Sequence, residues 1–383
     1  MADAGRDLAD GPPPKPRLCV RVGVTGHRLK TSTVAVETAV IEAISRVLSM
    51  VRDGATALLA EEAAAFAPEP PRLALTTSLA EGADQLAARA ALGLGFELSA
   101  ALPFTREEYA SDFVKPRPLG VYRACLDQAR SVFELEGRRE TSDRAYEAAG
   151  LMVLRHTDLL VAVWDGGRAA GRGGTAEIVQ AAVDDGTPVL WIRPGEPGAR
   201  LLRRKPFSLS ADALDLAETA PELDAAAVRE VVFELAAPPS ARSGPAGAEA
   251  RRRLFDFYAE KRVGRGSGLA YRALQSLLGV RRAGVAAAPA GPAFRDVIAP
   301  FHDALPEALS GRVRAAFRRC DAMAVRYGDA HRSASVVNFG FAAIAVGLAL
   351  MSVLPVPGAS ALKPLWVGLE LAVLALIGLN TWA

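Results

Sequence analysis

Four short clusters of polar residues and glycines carry the chemistry this chain offers: Thr25-Gly26-His27-Arg28, then Ser78, Glu81, Gly82 and Asp84, then Asp165-Gly166, and finally Gly173-Gly174-Thr175-Ala176-Glu177. Glycines let a backbone approach a bound group closely, and a helix opening on Gly-Gly-Thr presents unpaired N–H groups to anionic oxygens. Phosphate is the natural guest. Thr175 can add its hydroxyl to that contact, or it serves as the cap of its own helix. Arg28 suits a bidentate contact with phosphate, and His27 suits a hydrogen bond to phosphate or stacking on a base. Glu177 could hold ribose hydroxyls or stabilise a developing sugar cation, which makes it the candidate catalytic residue. Equally, it is a favourable charge in a first helical turn. Asp165 and Glu81 compete for the ribose role, and either could make a turn hydrogen bond instead.

Elements of alternating type must position these clusters. Apolar, β-branched runs at residues 18–24, 73–77, 96–102, 159–164 and 189–193 are predicted strands, and helical patterns fall at 34–51, 82–94, 142–155 and 175–185. Continuous apolar strands alternating with helices specify the α/β class, a Rossmann-like parallel sheet with helices on both faces. In such sheets ligands bind beyond the carboxyl ends of the strands, where the polar clusters stand. Neither GxGxxG nor GxxxxGK[ST] occurs in the expected place, which disfavours the dinucleotide and P-loop readings.

The ordered set Gly23-Val24-Thr25-Gly26-His27-Arg28, Ser78 through Ala87, Leu102-Pro103-Phe104 with Tyr109 and Asp112-Phe113, and Asp165-Gly166 before Gly173 through Glu177 resembles the SLOG superfamily. These are Rossmann-like relatives of the LOG (Lonely Guy) and DprA proteins, and the resemblance covers residues 17–195. It implies binding of a nucleotide or nucleotide-derived ligand of the ADP-ribose class. LOG enzymes carry GGxGTxxE and cleave nucleotide N-glycosidic bonds. Here Glu177 stands one position closer to Thr175, a displacement of about 100° around a helix, which argues against carrying the catalysis over.

The C-terminal part differs in kind. Residues 336–354 form an uncharged run of 19 residues, about 28 Å of helix and long enough to span a bilayer. Pro355, Pro357 and Gly358 break it, and a second apolar run at 365–383 carries one acid, Glu370, which either snorkels to an interface or lines a polar path. Two spans and a tight turn make a transmembrane hairpin. Trp366 and Trp382 stand near the two ends of the second run, as interface anchors or packing residues do. The sequence stops at Ala383 with no polar flank, an ending expected of a fragment. A SLOG domain followed by such a hairpin resembles bacterial conflict-system receptors with a SLATT-type membrane effector.

Charge divides the chain the same way. The overall balance of 45 bases and 43 acids hides 28 bases and 35 acids in residues 1–250 against 16 bases and 7 acids in residues 251–332. The basic stretch, on predicted helices at 251–262 and 311–332, reads as a stalk drawn to anionic lipid. Arginines before the first span against a lone Lys363 in the loop place the N-terminal bulk in the cytoplasm. The expected domains are a disordered tail (1–16), a SLOG-like domain (17–195), a Pro- and Gly-rich linker (196–250) with an added strand at 228–235, a helical stalk (251–334) and two transmembrane helices (335–383).

The expected function is a multi-pass inner-membrane protein with a cytoplasmic sensor domain that binds a nucleotide-like ligand and signals to its hairpin, in bacterial defence. A membrane-tethered N-glycosidase acting on a nucleotide or NAD and a non-catalytic assembly scaffold are the alternatives. Expected partners are the lipid bilayer, the small ligand, further copies of the chain and a signal-producing enzyme encoded in the same operon. Nucleic acid is not expected, because no aromatic-interleaved basic surface is readable. No cofactor is expected. His156, His302 and His331 lack metal-ligand spacing, and Cys19, Cys125 and Cys320 form no CxxC pair, so no metal is expected either.

Overall fold

The computed structural model describes residues 13–28, 33–168, 173–204, 212–259, 268–279, 307–353 and 362–382. Most of the expected N-terminal tail, Gly171 and Arg172, the hairpin turn at Pro355, Pro357 and Gly358, and a large part of the basic stretch lie outside the described residues. One compact unit spans Lys15–Arg253 and a second takes in Leu254–Ala383.

In chain order the strands of the first unit are β1 (Cys19–Gly26), β2 (Arg72–Thr77), β3 (Glu97–Leu102), β4 (Ser131–Glu134), β5 (Leu159–Val163), β6 (Val189–Ile192) and β7 (Arg200–Leu202). They form one sheet in the order β4-β3-β2-β1-β5-β6-β7, parallel throughout except for β7, which runs antiparallel to β6. Its helices are α1 (Val34–Glu61), α2 (Ala83–Gly93), α3 (Arg106–Ala110), α4 (Pro116–Gln128), α5 (Ser142–Arg155), α6 (Thr175–Asp185), α7 (Ala213–Thr219) and α8 (Ala225–Ala236), followed by α9 (Gly244–Tyr258).

The sequence explains the layering. Every residue of β5 is buried, and alternate side chains serve different cores: Leu159, Val161 and Val163 join the one that includes α1 and α2, while Leu160 and Ala162 join the one that includes α6 and α7. A strand covered on both faces must be apolar at every position. α1 buries Val40, Ile44, Val47, Val51, Ala55 and Leu58, a stripe at helical spacing, and Thr33 caps it by accepting from the Val36 N–H.

Three differences from the sequence expectations have local causes. Residues 228–235 are helical, not a strand: Val228, Val231 and Val232 recur at helical spacing, Asp224 caps the helix start, and α8 packs on α1. The β-branched composition misled there, because the three-to-four spacing of the buried face decides the element. The added strand is instead β7. α4 and the short edge strand β4 were not expected, since β4 is half exposed and lacks an apolar run.

The second unit contains α10 (Leu269–Leu277), α11 (Glu307–Val353) and α12 (Lys363–Trp382). α11 is one continuous helix of 47 residues that joins the basic stretch to the first apolar run. The segments Met323–Met351 and Lys363–Thr381 are long and apolar enough to cross a membrane, and little of either is buried within the protein. α11 and α12 pack together, with Asn380 Nδ2 donating to Asn338 Oδ1 at 2.7 Å and Asn338 Nδ2 donating to Thr381 Oγ1 at 3.0 Å. Glu370 and Trp366 are half-buried, and the side chain of Trp382 lies outside the described residues.

Candidate functional site

From β1 the chain builds outward through β2, β3 and β4, then returns to the other side of β1 and builds outward again through β5, β6 and β7. Crossovers therefore leave β1 and β5 in opposite directions and open a crevice over their carboxyl ends. A cleft of about 640 Å³ lies there, lined by Thr25, Gly26, His27, Arg28, Ser78, Asp84, Asp165, Gly173, Gly174 and Thr175 among others. Four clusters separated by up to 150 residues thus share one space.

Close backbone approaches make this possible. A Cβ at Gly26 would lie 2.4 Å from the Cβ of Ala83, so only glycine lets the end of β1 meet the start of α2. There the His27 N–H donates to Val163 O at 3.0 Å, and the Ala83 N–H donates to His27 O at 3.3 Å. Gly173 has φ +72°, and a Cβ there would come within 2.5 Å of the Glu147 backbone nitrogen, which places its loop hard against α5.

The start of α6 and Arg28 both border the cleft. Gly174, not Thr175, is the N-cap of α6, so the hydroxyl of Thr175 is not the helix cap. Thr175 and Ala176 both line the cleft, and their backbone N–H groups belong to the first turn, which has no intrahelical acceptors. Opposite them, the Arg28 guanidinium lies 5.4 Å from the centre of the Tyr146 ring and 3.9 Å from Asp112 Oδ2. Tyr146 donates its hydroxyl to Asp112, and Arg139 Nη1 contacts Asp112 Oδ1 at 2.5 Å. Asp112 thus orients the groups around Arg28 while its own charge is offset by two guanidinium groups.

Asp165 stands at the end of β5, where its Oδ1 accepts from the Gly167 N–H at 2.8 Å and lies 3.1 Å from His27 Nε2. The Gly167 N–H and then His27 hold its carboxyl below the usual range, against the opposing effect of burial. The imidazole is misaligned for a hydrogen bond despite that distance, and Nε2 is a buried nitrogen without a hydrogen-bond partner. Asp165 therefore makes a turn hydrogen bond and also faces the cleft, so the two sequence readings of this residue coexist.

Asp84 is buried beneath the Ser78 loop, with its Oδ2 3.3 Å from the Ala80 N–H. Burial raises its carboxyl to about 7, against the lowering effects of the Thr77 hydroxyl, the Ala80 and Ser78 N–H groups and Arg28. Tyr109, also buried and facing the cleft, is held well above the ordinary phenol range by burial and then by Asp84.

Four expected residues sit elsewhere. Glu81 and Gly82 line a separate pocket of about 150 Å³ with Glu37, Gln85, Lys115 and Arg117. Gly166, with φ +84°, forms the turn beside the Trp191 ring and does not line the cleft. Glu177 does not line it either: its carboxylate accepts from the Gly173 N–H at 2.6 Å. Conversely, Tyr146 and Arg168 line the cleft without having been singled out as ligand contacts. Among the described residues no group of three or more His, Cys, Asp or Glu side chains could hold a metal ion.

No protein-family model matches this sequence, and no curated protein matches it. Solved structures are similar in fold. DNA processing protein A (DprA) from Streptococcus pneumoniae is 15% identical with a TM-score of 0.33, over 60% of this chain and 62% of that one. DNA processing protein A from Helicobacter pylori is 15% identical with a TM-score of 0.33, over 60% of this chain and 84% of that one. TM1055 is 17% identical with a TM-score of 0.25, over 44% of this chain and 72% of that one. These are likenesses of fold alone. They nevertheless correct one expectation: the Helicobacter pylori protein is described with a single-stranded DNA binding mode, so nucleic acid is not excluded as a partner here. The exclusion relied on the lack of a readable aromatic-interleaved surface, and a sequence pattern does not report which groups a fold gathers in its grooves.

Proposed function

We propose that this protein is a membrane-anchored sensor whose α/β cleft binds a phosphate-bearing, nucleotide-derived ligand of the ADP-ribose class. The observation that carries the reading is the convergence, in one cleft at the reversal point of the sheet, of the α6 N-terminal amides, Arg28, Asp165 and Tyr146. The amides and Arg28 suit phosphate, Asp165 suits ribose hydroxyls, and the Tyr146 face suits a base. Two long apolar helices with little burial support a membrane anchor, and Arg326 and Arg332 ahead of the uncharged run that starts at Val336 support a cytoplasmic α/β unit at the inner membrane. The ligand acts by binding two arrangements of the oligomer unequally and so repacking the hairpins, in the manner of a SLOG–SLATT defence receptor answering a signal-producing enzyme. The N-glycosidase reading has less support, because Glu177 is engaged by its own loop.

Calorimetric and thermal-shift titration of the full-length protein in detergent tests this, with ADP-ribose, its cyclic forms, ADP, AMP and a single-stranded oligonucleotide as probes. Saturable binding of a nucleotide-derived diphosphate is expected, with stabilisation of about 2.7 kcal/mol at a hundredfold excess over Kd. Binding of none of them, or of the oligonucleotide alone, overturns the reading.

A further inference from the structure

α10 exposes apolar side chains: Leu269, Leu277 and Leu278 are 63%, 87% and 67% exposed. Another part of the helix is tied to α11. The Tyr271 N–H donates to the buried Ser333 Oγ at 3.0 Å, Arg272 contacts Asp329 Oδ2 at 3.3 Å, and the Arg332 guanidinium lies 5.4 Å from the centre of the Tyr271 ring. Gly268 packs beside Asp329 and Tyr271 beside Ser333, so over the first turn of α10 residue numbers rise together on the two helices.

This register sets a level for the leucines. Arg332 is the last charged residue before the apolar run that starts at Val336, so a bilayer crossed by α11 has its surface near residues 332–336. Counting along both helices from Tyr271 beside Ser333 puts Leu269 just outside that surface and Leu277 and Leu278 at the level of the exposed Phe339. That is roughly 5–10 Å inside the boundary at 1.5 Å per residue, the depth at which interfacial helices lie. α10 ends there, with Gly279 just beyond it at φ +69°.

We propose that α10 dips into the lipid surface beside the first membrane span, with its exposed leucines at the headgroup–acyl boundary. The occupant of this face is an anionic bilayer leaflet, because Leu277 and Leu278 are exposed as Phe339 of α11 is, and Arg272 and Arg332, beside Tyr271 at the boundary, suit anionic headgroups. The inference rests on the reading that α11 and α12 cross a membrane.

Nitroxide labels on the full-length protein, with Cys19, Cys125 and Cys320 replaced by serine, test both ideas separately. Leu269→Cys, Leu277→Cys and Ile344→Cys are labelled and reconstituted into vesicles of phosphatidylcholine and phosphatidylglycerol. The ratio of accessibility to oxygen over a water-soluble nickel chelate should rise several-fold from 269 to 277 and further to 344. A lipid-embedded 344 with a water-exposed 277 overturns the inference and leaves the span intact. A 277 label shielded from both reagents marks a protein contact and also overturns it. A water-exposed 344 removes the membrane reading itself.

Discussion

The carboxylate of Glu177 accepts a hydrogen bond from the Gly173 N–H at 2.6 Å, so the residue whose type best suits sugar chemistry closes the loop that enters its own helix. A glutamate in the first turn also complements the helix dipole, and both roles are served without any reaction. Glu177→Ala should cost about 1 kcal/mol of stability and weaken ligand binding several-fold, because the loop amides lose their fixed positions. Glu177→Gln keeps a carbonyl acceptor and should stay close to the parent protein in thermal unfolding and in calorimetric affinity. A glutamine variant that binds ligand normally but loses a measured turnover would instead assign Glu177 to catalysis.

In the proposed site Arg28 is the cation assigned to phosphate, since it lines the cleft beside Tyr146. Arg28→Ala should weaken binding of the ligand by roughly 10- to 100-fold, the loss of a charge-assisted hydrogen bond of about 1.5–3 kcal/mol, while leaving the unliganded melting temperature little changed. Titration calorimetry reads this directly. Unaltered affinity in that variant would move the phosphate away from Arg28.

Asp84 makes stability depend on pH in an unusual direction. Its carboxyl titrates near 7 in the folded protein against an ordinary value of 3.8, so between these values the folded state holds more protons than the unfolded chain. Stability therefore falls as pH rises through that window; the cost is absent below it and complete above about pH 7. Arg28 and Tyr109 face the same group, and Arg28 limits the effect. Unfolding midpoints of the parent and Asp84→Asn proteins, followed between about pH 5 and 8 by intrinsic fluorescence, should differ in slope, the variant being flatter. Equal slopes would show that Asp84 is not the group responsible.

Two glycines with positive φ should respond differently to alanine. Gly173→Ala adds a Cβ within 2.5 Å of backbone as well as an unfavourable φ of +72°, and should cost about 2 kcal/mol or more. Gly166→Ala meets only the Trp191 ring, at 3.4 Å, and should cost about 1 kcal/mol from its φ alone. Chemical denaturation of the two variants separates packing from backbone preference.

Much of this was legible because it depends on local pattern. The strand runs at β5 and β6 are apolar at every position, β1 interrupts its apolar run only with the exposed Arg21 before Thr25 and Gly26 end it, and the two apolar runs near the C-terminus are long enough to be read by counting. The 228–235 segment was misread because β-branched residues suit strands, while the spacing of Val228, Val231 and Val232 suits the side of α1.

The sequence by itself determined the α/β class, the kinds of chemical group near the strand ends and the division into an acidic part, a basic part and an apolar end. Tertiary structure alone decided which of those groups meet. Asp165 reaches the cleft and Glu81 does not, because β5 pairs with β1 while the Ser78–Gly82 loop turns Glu81 into another pocket. Tyr146 joins Arg28 only because α5 crosses back over the sheet, and Glu177 faces its own loop because Gly173 brings that loop within reach. Spacing along the chain specifies each element, but strand order and the aim of a side chain come from how whole elements pack, which no local pattern encodes.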